Sequence, residues 1–307
     1  MKKIIISALI VLIVGSLFTW WKFEYSNTLA ETTSGLNGYI QQKNCDILFV
    51  GSSQTRQDYN IKIIDSICGV SGFCLAYNGL QPILAAEIID YLTTEYFKPA
   101  IIIMEAYPYL SVQEPRLADT RVFTDAPPEL KNNIIDLLDD NGDLNFNERF
   151  ELLVRSGNAP ILMSFITAKT KNEMSYKGSY QNKFVKGMQQ EFLLNSEDTL
   201  SLKTPSLNEY QNKSHQRLAE ICIERGIKLI YIQPPVAAPI KFSNNYRSAS
   251  EQLQYFISQE LNVVYIDDIK SFSSFDHQNF SDYYHLSTTG RDTYSILVAE
   301  LLKSRIN

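Results

Sequence analysis

Histidine is scarce in this chain, with three residues in 307, at positions 215, 277 and 285. With so few imidazoles, any general-base chemistry by imidazole falls to one of them. Cysteine is nearly as rare: Cys45, Cys68, Cys74 and Cys222 are too few for a disulfide scaffold. Cys68 and Cys74 are close enough in sequence to bridge in an oxidising compartment, although buried thiols are the commoner outcome, and the spacing matches no zinc pattern. Basic charge is not in excess either, since 28 Lys and Arg stand against 34 Asp and Glu for a net charge of -6. No basic run follows the opening Lys2-Lys3, which argues against a nucleic-acid partner. The chain also lacks internal repeats and low-complexity tracts, which sets aside solenoids and fibrous arrays.

What is present begins with one long apolar run. From Ile4 to Trp21 the chain carries no charge, just enough residues to span a hydrocarbon layer of ~30 Å as a helix. Lys2 and Lys3 in front favour an N-terminus left in the cytoplasm, and Trp20 and Trp21 sit where an interfacial aromatic belt belongs. A cleavable signal needs small residues close behind its apolar core, whereas bulky Trp20-Trp21-Lys22-Phe23-Glu24-Tyr25 follow here and the nearest small-residue site is Thr28-Leu29-Ala30. The expectation is a single-pass cell-membrane protein with residues 1–25 as an uncleaved anchor, 26–42 as a polar tether and 43–307 as an extracytoplasmic body. Secretion after cleavage is the alternative.

Within the body, Cys45–Val50 reads as a continuously apolar strand of the kind buried on both faces of a parallel sheet. Similar strands are expected at 100–104, 228–232 and 263–266, with helical periodicity over 82–97, 206–225, 248–261 and 288–304. Strands alternating with amphipathic helices predict an α/β fold, a three-layer sandwich around a mostly parallel sheet. The stretch from about 114 to 205 breaks the alternation, with Pro127-Pro128 and weak helical patterns at 132–139 and 148–167. It reads as an insertion subdomain at the ligand edge of the sheet, a lid or a selector of substrate. Its run Asp139–Glu148 invites comparison with a calcium loop, but Leu144 stands where the turn glycine is needed and Phe150 where the bidentate Glu belongs. An acidic solvated turn is the expectation, and no metal.

Two segments carry chemistry. The first strand ends in Gly51-Ser52-Ser53, and some 230 residues later comes Asp282-Tyr283-Tyr284-His285-Leu286. A neutral serine is a poor nucleophile unless an imidazole accepts its proton and a carboxylate holds that imidazole in one tautomer. The residues alone leave Ser52 and Ser53 both open as the nucleophile. His215, in a polar helical stretch, is expected to be solvated. His277 is near enough to the last block to line a cleft, but the Asp beside it cannot easily orient it.

Phe49-Val50-Gly51-Ser52-Ser53-Gln54-Thr55-Arg56 resembles the first block of the SGNH, or GDSL-like, hydrolases, and Asp282-x-x-His285 through Gly290 resembles their last. A middle block is similar at Ala76-Tyr77-Asn78-Gly79. The resemblance implies a flavodoxin-like sheet, Ser53 as nucleophile, His285 as base and Asp282 as its orienting partner, with Ser287 or Thr288 capping the last helix. It implies oxyanion donors at the Ser53 and Gly79 backbone. The family's third block departs: Met104-Glu105-Ala106-Tyr107-Pro108 stands where many members have an Asn whose amide completes the oxyanion hole. Asn78, Tyr107 or Arg56 are candidates to replace it, and Arg56, Glu105 and Tyr107 are candidates to line the cleft, Glu105 alternatively pairing with Arg56 or capping a turn.

The implied chemistry is acyl transfer without a metal or organic cofactor. The anchored layout is similar to that of the D-alanyl transfer proteins of teichoic-acid synthesis, which implies an esterase or O-acyltransferase acting on acyl esters of cell-envelope glycans or a small ester, beside a membrane-bound O-acyltransferase. A catalytically silent glycan-binding or scaffold protein is the alternative. Lipases of the other serine-hydrolase fold carry Gly-x-Ser-x-Gly, which Gly51–Thr55 is not.

Overall fold

Short apolar runs set the architecture, because a five-residue stretch buried on both faces is stable only inside a sheet covered on both sides. The computed structural model describes residues 5–7, 9–17, 34–42, 44–108, 117–119, 121–140, 175–180, 209–237, 244–258, 263–266, 272 and 274–306. From residue 34 onward the elements are α1 (Gly35–Gln41), β1 (Ile47–Gly51), α2 (Ser53–Asp58), α3 (Ile61–Cys68), β2 (Gly72–Ala76), α4 (Pro82–Glu95) and β3 (Ile101–Glu105). Then come α5 (Arg121–Asp125), α6 (Pro128–Asp140), the hairpin β4 (Ser175–Tyr176) and β5 (Ser179–Tyr180), α7 (Glu209–Glu224), β6 (Lys228–Ile232), α8 (Asn244–Ser258), β7 (Val263–Ile266), a 3-10 turn at His277–Asn279 and α9 (Thr288–Ile306).

The main sheet has the order β2-β1-β3-β6-β7 and every pairing in it is parallel. Alternation along the strands divides the core. Leu48, Val50, Phe73, Leu75, Ile102, Met104, Leu229 and Tyr231 face one way, against α1, α4, α6, α7 and α8. Ile47, Phe49, Cys74, Ile101, Ile103, Ile230 and Ile232 face the other, against Tyr59, α3 and α9. The chain steps from β1 out to β2 and then back across to β3, so the direction of winding reverses between β1 and β3. Loops leaving neighbouring strands diverge there and open a crevice at the carboxyl edge.

Four of the five strands lie where the apolar runs predict them. β2 is the exception, since Gly72-Phe73-Cys74-Leu75-Ala76 opens on glycine and has few bulky side chains. The end of the expected tether also differs: residues 35–41 form α1, whose Leu36 and Tyr39 are buried in the core, with the Leu36 N–H donating to the Tyr77 hydroxyl at 2.8 Å. Residues 5–7 and 9–17 are helical, with their large apolar side chains exposed. Among the described residues no helix is long and apolar enough to cross a membrane. Trp20, Trp21 and the tether up to residue 33 lie outside the described residues, as do 141–174 and 181–208 of the insertion, including most of the acidic run and the 148–167 pattern. All four cysteines are free, the Cys68 and Cys74 thiols donating to the carbonyls of Ala299 and Thr55 at 3.3 Å.

The β4–β5 hairpin covers the outer edge of β2, which would otherwise present unpaired backbone groups. The Cys74 N–H donates to the Lys177 carbonyl at 2.9 Å, and the Lys177 ammonium reaches Asp65 at 2.6 Å. The turn needs Gly178, because its φ is +83° and a Cβ there would stand 1.9 Å from the Cys74 carbonyl oxygen. Gly178→Ala should therefore cost about 1–3 kcal/mol. The expected outcome is a midpoint of thermal unfolding several degrees below wild type, and an unchanged midpoint would show that the hairpin does not hold the edge.

Candidate functional site

β1 delivers Ser53 to the crevice. Gly51 closes the strand, and no side chain fits on it: an added Cβ would meet Thr55 Oγ1 at 2.1 Å and Glu105 Oε2 at 2.4 Å. The chain then turns into α2, of which Ser53 is the first residue. The turn is held from beneath by Glu105 at the end of β3. Its carboxylate accepts the Ser52 N–H and hydroxyl, each at 2.6 Å, and the Thr55 N–H and hydroxyl at 3.1 and 2.6 Å. Glu105 is 1% exposed, so a buried charge is satisfied by four donors from one loop. Of the placements open to it from the sequence, Glu105 takes the capping of a turn, the one around Ser53, and neither lines a cleft nor pairs with Arg56.

The last block arrives from the other end of the chain. Ser281 donates its N–H to the His285 carbonyl at 2.8 Å, and Asp282 Oδ1 accepts the N–H groups of Tyr284 and His285 at 2.8 and 2.9 Å. The loop is thus wound around Asp282 before any side chain is placed. Ser287 takes the Gly290 N–H on its Oγ at 3.2 Å and ties the loop to the start of α9.

These segments bring three side chains into line. His285 Nε2 lies 2.9 Å from Ser53 Oγ, across 232 residues of sequence, and His285 Nδ1 lies 2.8 and 3.0 Å from the two oxygens of Asp282. A carboxylate only accepts, so Nδ1 carries the proton and Nε2 is left to accept from the serine hydroxyl. Burial acts to lower the His285 pKa, but the hydrogen bond to Asp282 and the surrounding carboxylates outweigh it and hold the group above its ordinary 6.5. For Asp282 burial acts upward, and the hydrogen bonds from His285 and two backbone N–H groups outweigh it, leaving the carboxyl below its usual range.

Two supporting residues carry no sequence signal. Asp58, at the end of α2, is 0% exposed, and its Oδ1 accepts the Leu286 N–H at 2.9 Å, pinning the chain just after His285. Burial pushes its carboxyl well above the usual range, and Oδ2 has no partner. The hydrogen bond to Asp282 is the largest upward influence on His285, with Asp58 next. Gln54, beside the nucleophile, donates from Nε2 to the Tyr284 carbonyl at 2.7 Å. Both bonds join α2 to the histidine loop, a relation between distant segments that no local pattern reveals.

The middle block follows β2. Tyr77 donates its N–H to the Gly51 carbonyl at 3.2 Å, which holds Asn78 and Gly79 at the same edge as Ser53. Gly79 has φ +63° and is exposed, and its N–H donates to no described residue. The Asn78 N–H is committed to Asp119 at 3.0 Å, so the side-chain amide is what Asn78 has to offer. Tyr107 sits at the rim with its ring 5.4 Å from that of Tyr284. Arg56 lies over the Tyr180 ring of β5, 5.8 Å from its centroid.

The other histidines are not part of this cluster. His215 is 0% exposed rather than solvated: α7 turns it onto the sheet, where Nδ1 meets the Tyr231 hydroxyl at 2.8 Å and the ring stands edge-on to Phe256. Burial pulls its pKa down to about 4. His277 begins the 3-10 turn capped by Asp276, whose side chain accepts the Gln278 N–H at 2.9 Å. Among the described residues no group of three or more His, Cys, Asp or Glu side chains could hold a metal ion.

No family model matches the chain, and no curated protein does. Among solved structures it is similar to a Streptococcus pneumonia protein provisionally described as a platelet activating factor, with 13% identity and a TM-score of 0.39 over 96% of this chain and 99% of that one. It is also similar to an acetyl xylan esterase of the rumen bacterium Butyrivibrio proteoclasticus, with 8% identity and a TM-score of 0.33 over 86% of this chain and 64% of that one. Likenesses this distant have no bearing on activity.

The Asp282–His285 pair sets a pH dependence. Since the folded pKa is raised, His285 is largely protonated below 6.5 and gains its free Nε2 lone pair only as pH climbs through the higher value. In an NMR titration the His285 imidazole should show a midpoint above 6.5. In Asp282→Asn that midpoint should drop to 6.5 or lower, and an unmoved midpoint would rule out Asp282 as its cause.

Proposed function

We propose that this protein is a serine esterase or O-acyltransferase of the SGNH-like type, anchored in the cell membrane and acting on acyl esters of cell-envelope glycans. The observation that carries the reading is the unbroken line from Asp282 through both nitrogens of His285 to Ser53 Oγ, with hydrogen-bond distances of 2.8 and 2.9 Å. A serine on a strand-to-helix turn, an imidazole fixed in the tautomer that accepts its proton and a carboxylate behind it are the parts that acyl transfer needs.

In the proposed reaction Ser53 Oγ attacks the ester carbonyl carbon while its proton passes to His285 Nε2. The oxyanion is received by backbone N–H groups of Ser53 and Gly79, with the Asn78 amide as the side-chain donor in reach of that edge. Collapse breaks the bond to the leaving alcohol, which takes the proton back from Nε2 and leaves an acyl-Ser53 ester. Water, or a sugar hydroxyl, then gives its proton to Nε2 and attacks the acyl carbon, releasing an acid or a new ester. Asp282 stabilises the imidazolium at each stage without taking its proton. Glu105 positions the serine and touches no substrate.

The envelope setting rests on the uncharged run Ile4–Trp21 behind Lys2-Lys3, which supports a single span with the body outside the cytoplasm. A membrane-bound O-acyltransferase as donor partner follows from the resemblance to the D-alanyl transfer proteins. Full-length chain should sediment with membranes and resist alkaline carbonate extraction. Recovery of a soluble form lacking residues 1–25 would favour secretion after cleavage.

The second reading is a catalytically silent glycan-binding or scaffold protein, favoured by the lack of an Asn in Met104-Glu105-Ala106-Tyr107-Pro108 to complete an oxyanion hole. Ester turnover by the detergent-solubilised full-length chain separates the two. Ser53→Ala and His285→Ala should each lower kcat/KM for an acetyl ester by roughly a thousandfold or more, and a fluorophosphonate should label Ser53. Undiminished turnover in either variant removes the mechanism, and absence of labelling with retained glycan binding favours the silent fold.

A further inference from the structure

One cation beside the nucleophile has no counter-ion. Arg56 lies one turn after Ser53 on α2, so the two side chains leave the same side of the helix about 5–6 Å apart at their Cβ atoms. It is half-buried, its Nε is buried without an acceptor, and no carboxylate among the described residues pairs with it. Its surroundings are the Tyr180 ring of β5, Cys74 of β2, Arg121 of α5 and Asp119. Asp119 is the only carboxylate among them, and it is already taken: Arg121 grips both of its oxygens through Nε and a terminal nitrogen, and its own N–H and that of Asn78 complete the set. Arg121 and Asp119 cancel, and Arg56 remains as one uncompensated charge at the carboxyl edge of the sheet. Burial and then the neighbouring Arg121 act to weaken its hold on its proton.

A guanidinium stays charged in a protein, and withdrawing it from water without an anion is unfavourable. The neighbouring carboxylate that could have removed the cost, Asp119, is turned to Arg121, and those of Glu105 and Asp282 are engaged by the turn around Ser53 and by His285.

We propose that Arg56 is a specificity-determining residue that receives an anionic group, a carboxylate or a phosphate, carried by the substrate near its scissile ester. The planar fork suits either group, since both offer two oxygens side by side. The Tyr180 ring lies against the guanidinium and limits the directions from which an anion arrives, so the substrate is oriented as well as held. The proposal rests on the esterase or acyltransferase reading and narrows its substrate class to acylated anionic glycans.

Three matched probes test it with the full-length chain in neutral detergent: methyl 3-O-acetyl-glucoside, the corresponding 6-carboxylate and the corresponding 6-phosphate. The wild type should prefer at least one anionic probe over the neutral one by roughly 10- to 100-fold in kcat/KM, the range of a single charge-assisted contact. In Arg56→Gln that ratio should collapse toward one, mainly through KM, and Arg56→Lys should restore part of it. Which anion is preferred distinguishes an acidic sugar from a phosphorylated one. Titration calorimetry with the 3-O-methyl ethers of the same three sugars reads binding without turnover. Anion-selective binding lost in Arg56→Gln, in a protein that cleaves none of the esters, would uphold this subsite and sink the esterase reading. Ester cleavage with no anion preference, or with a preference that survives Arg56→Gln, would sink the subsite and leave the esterase reading standing.

Discussion

A buried carboxylate organises the whole site. Glu105 closes β3 at the point where the sheet's winding reverses, and all four donors it satisfies come from Ser52 and Thr55, on either side of Ser53. Leaving such a charge unpaired inside the protein would cost several kcal/mol, so the turn has one arrangement that is much better than any other. Gly51 follows from the same constraint, because the carboxylate and the Thr55 hydroxyl occupy the space a side chain would need. The serine is therefore aimed by groups that never meet a substrate. The strand end, the missing Cβ and the first turn of α2 are one device.

The histidine loop is built the opposite way, from local bonds that wind the chain around Asp282, and is joined to the serine side by two buried contacts. Asp58 holds the Leu286 N–H and Gln54 holds the Tyr284 carbonyl, one on each side of His285. The imidazole is bracketed between backbone anchors, with its ring nitrogens assigned by Asp282. Electrostatics then separate the carboxyls: Asp282 is held in its charged form by the hydrogen bonds it accepts, whereas Asp58, denied solvent and given a single donor, favours the neutral form. Two acids within one loop's reach thus do different work.

Much of the frame was legible in the chain. Apolar runs of four to six residues between amphipathic helices announced β1, β3, β6 and β7, because burial on both faces leaves a continuous hydrophobic mark. β2 escaped since Gly72 and Ala76 at its ends are small and its outer edge is shielded by a hairpin far along the sequence. The placement of Ser53 opposite His285 could be expected from two short blocks because their chemistry demands fixed residue types. Glu105 was readable only as a set of alternatives: a carboxylate at a strand end could line a cleft, pair with Arg56 or cap a turn, and only the folded chain shows four donors converging on it. His215 misled for the reverse reason, its polar neighbours in α7 hiding the one face that meets Tyr231.

The β4–β5 hairpin belongs to the segment that interrupts the α/β alternation, yet it is riveted to β2, α3 and α9 at three points: the Cys74 N–H, Asp65 and, through Arg291, the Tyr180 carbonyl at 3.1 Å. Tyr180 on that hairpin also lies against Arg56, one helical turn from Ser53. A two-residue strand thus carries the insertion's influence to the neighbourhood of Ser53. Under the proposed reading, remodelling of the inserted segment over generations would retune which molecules are admitted while Ser53 stays on the turn that Glu105 holds.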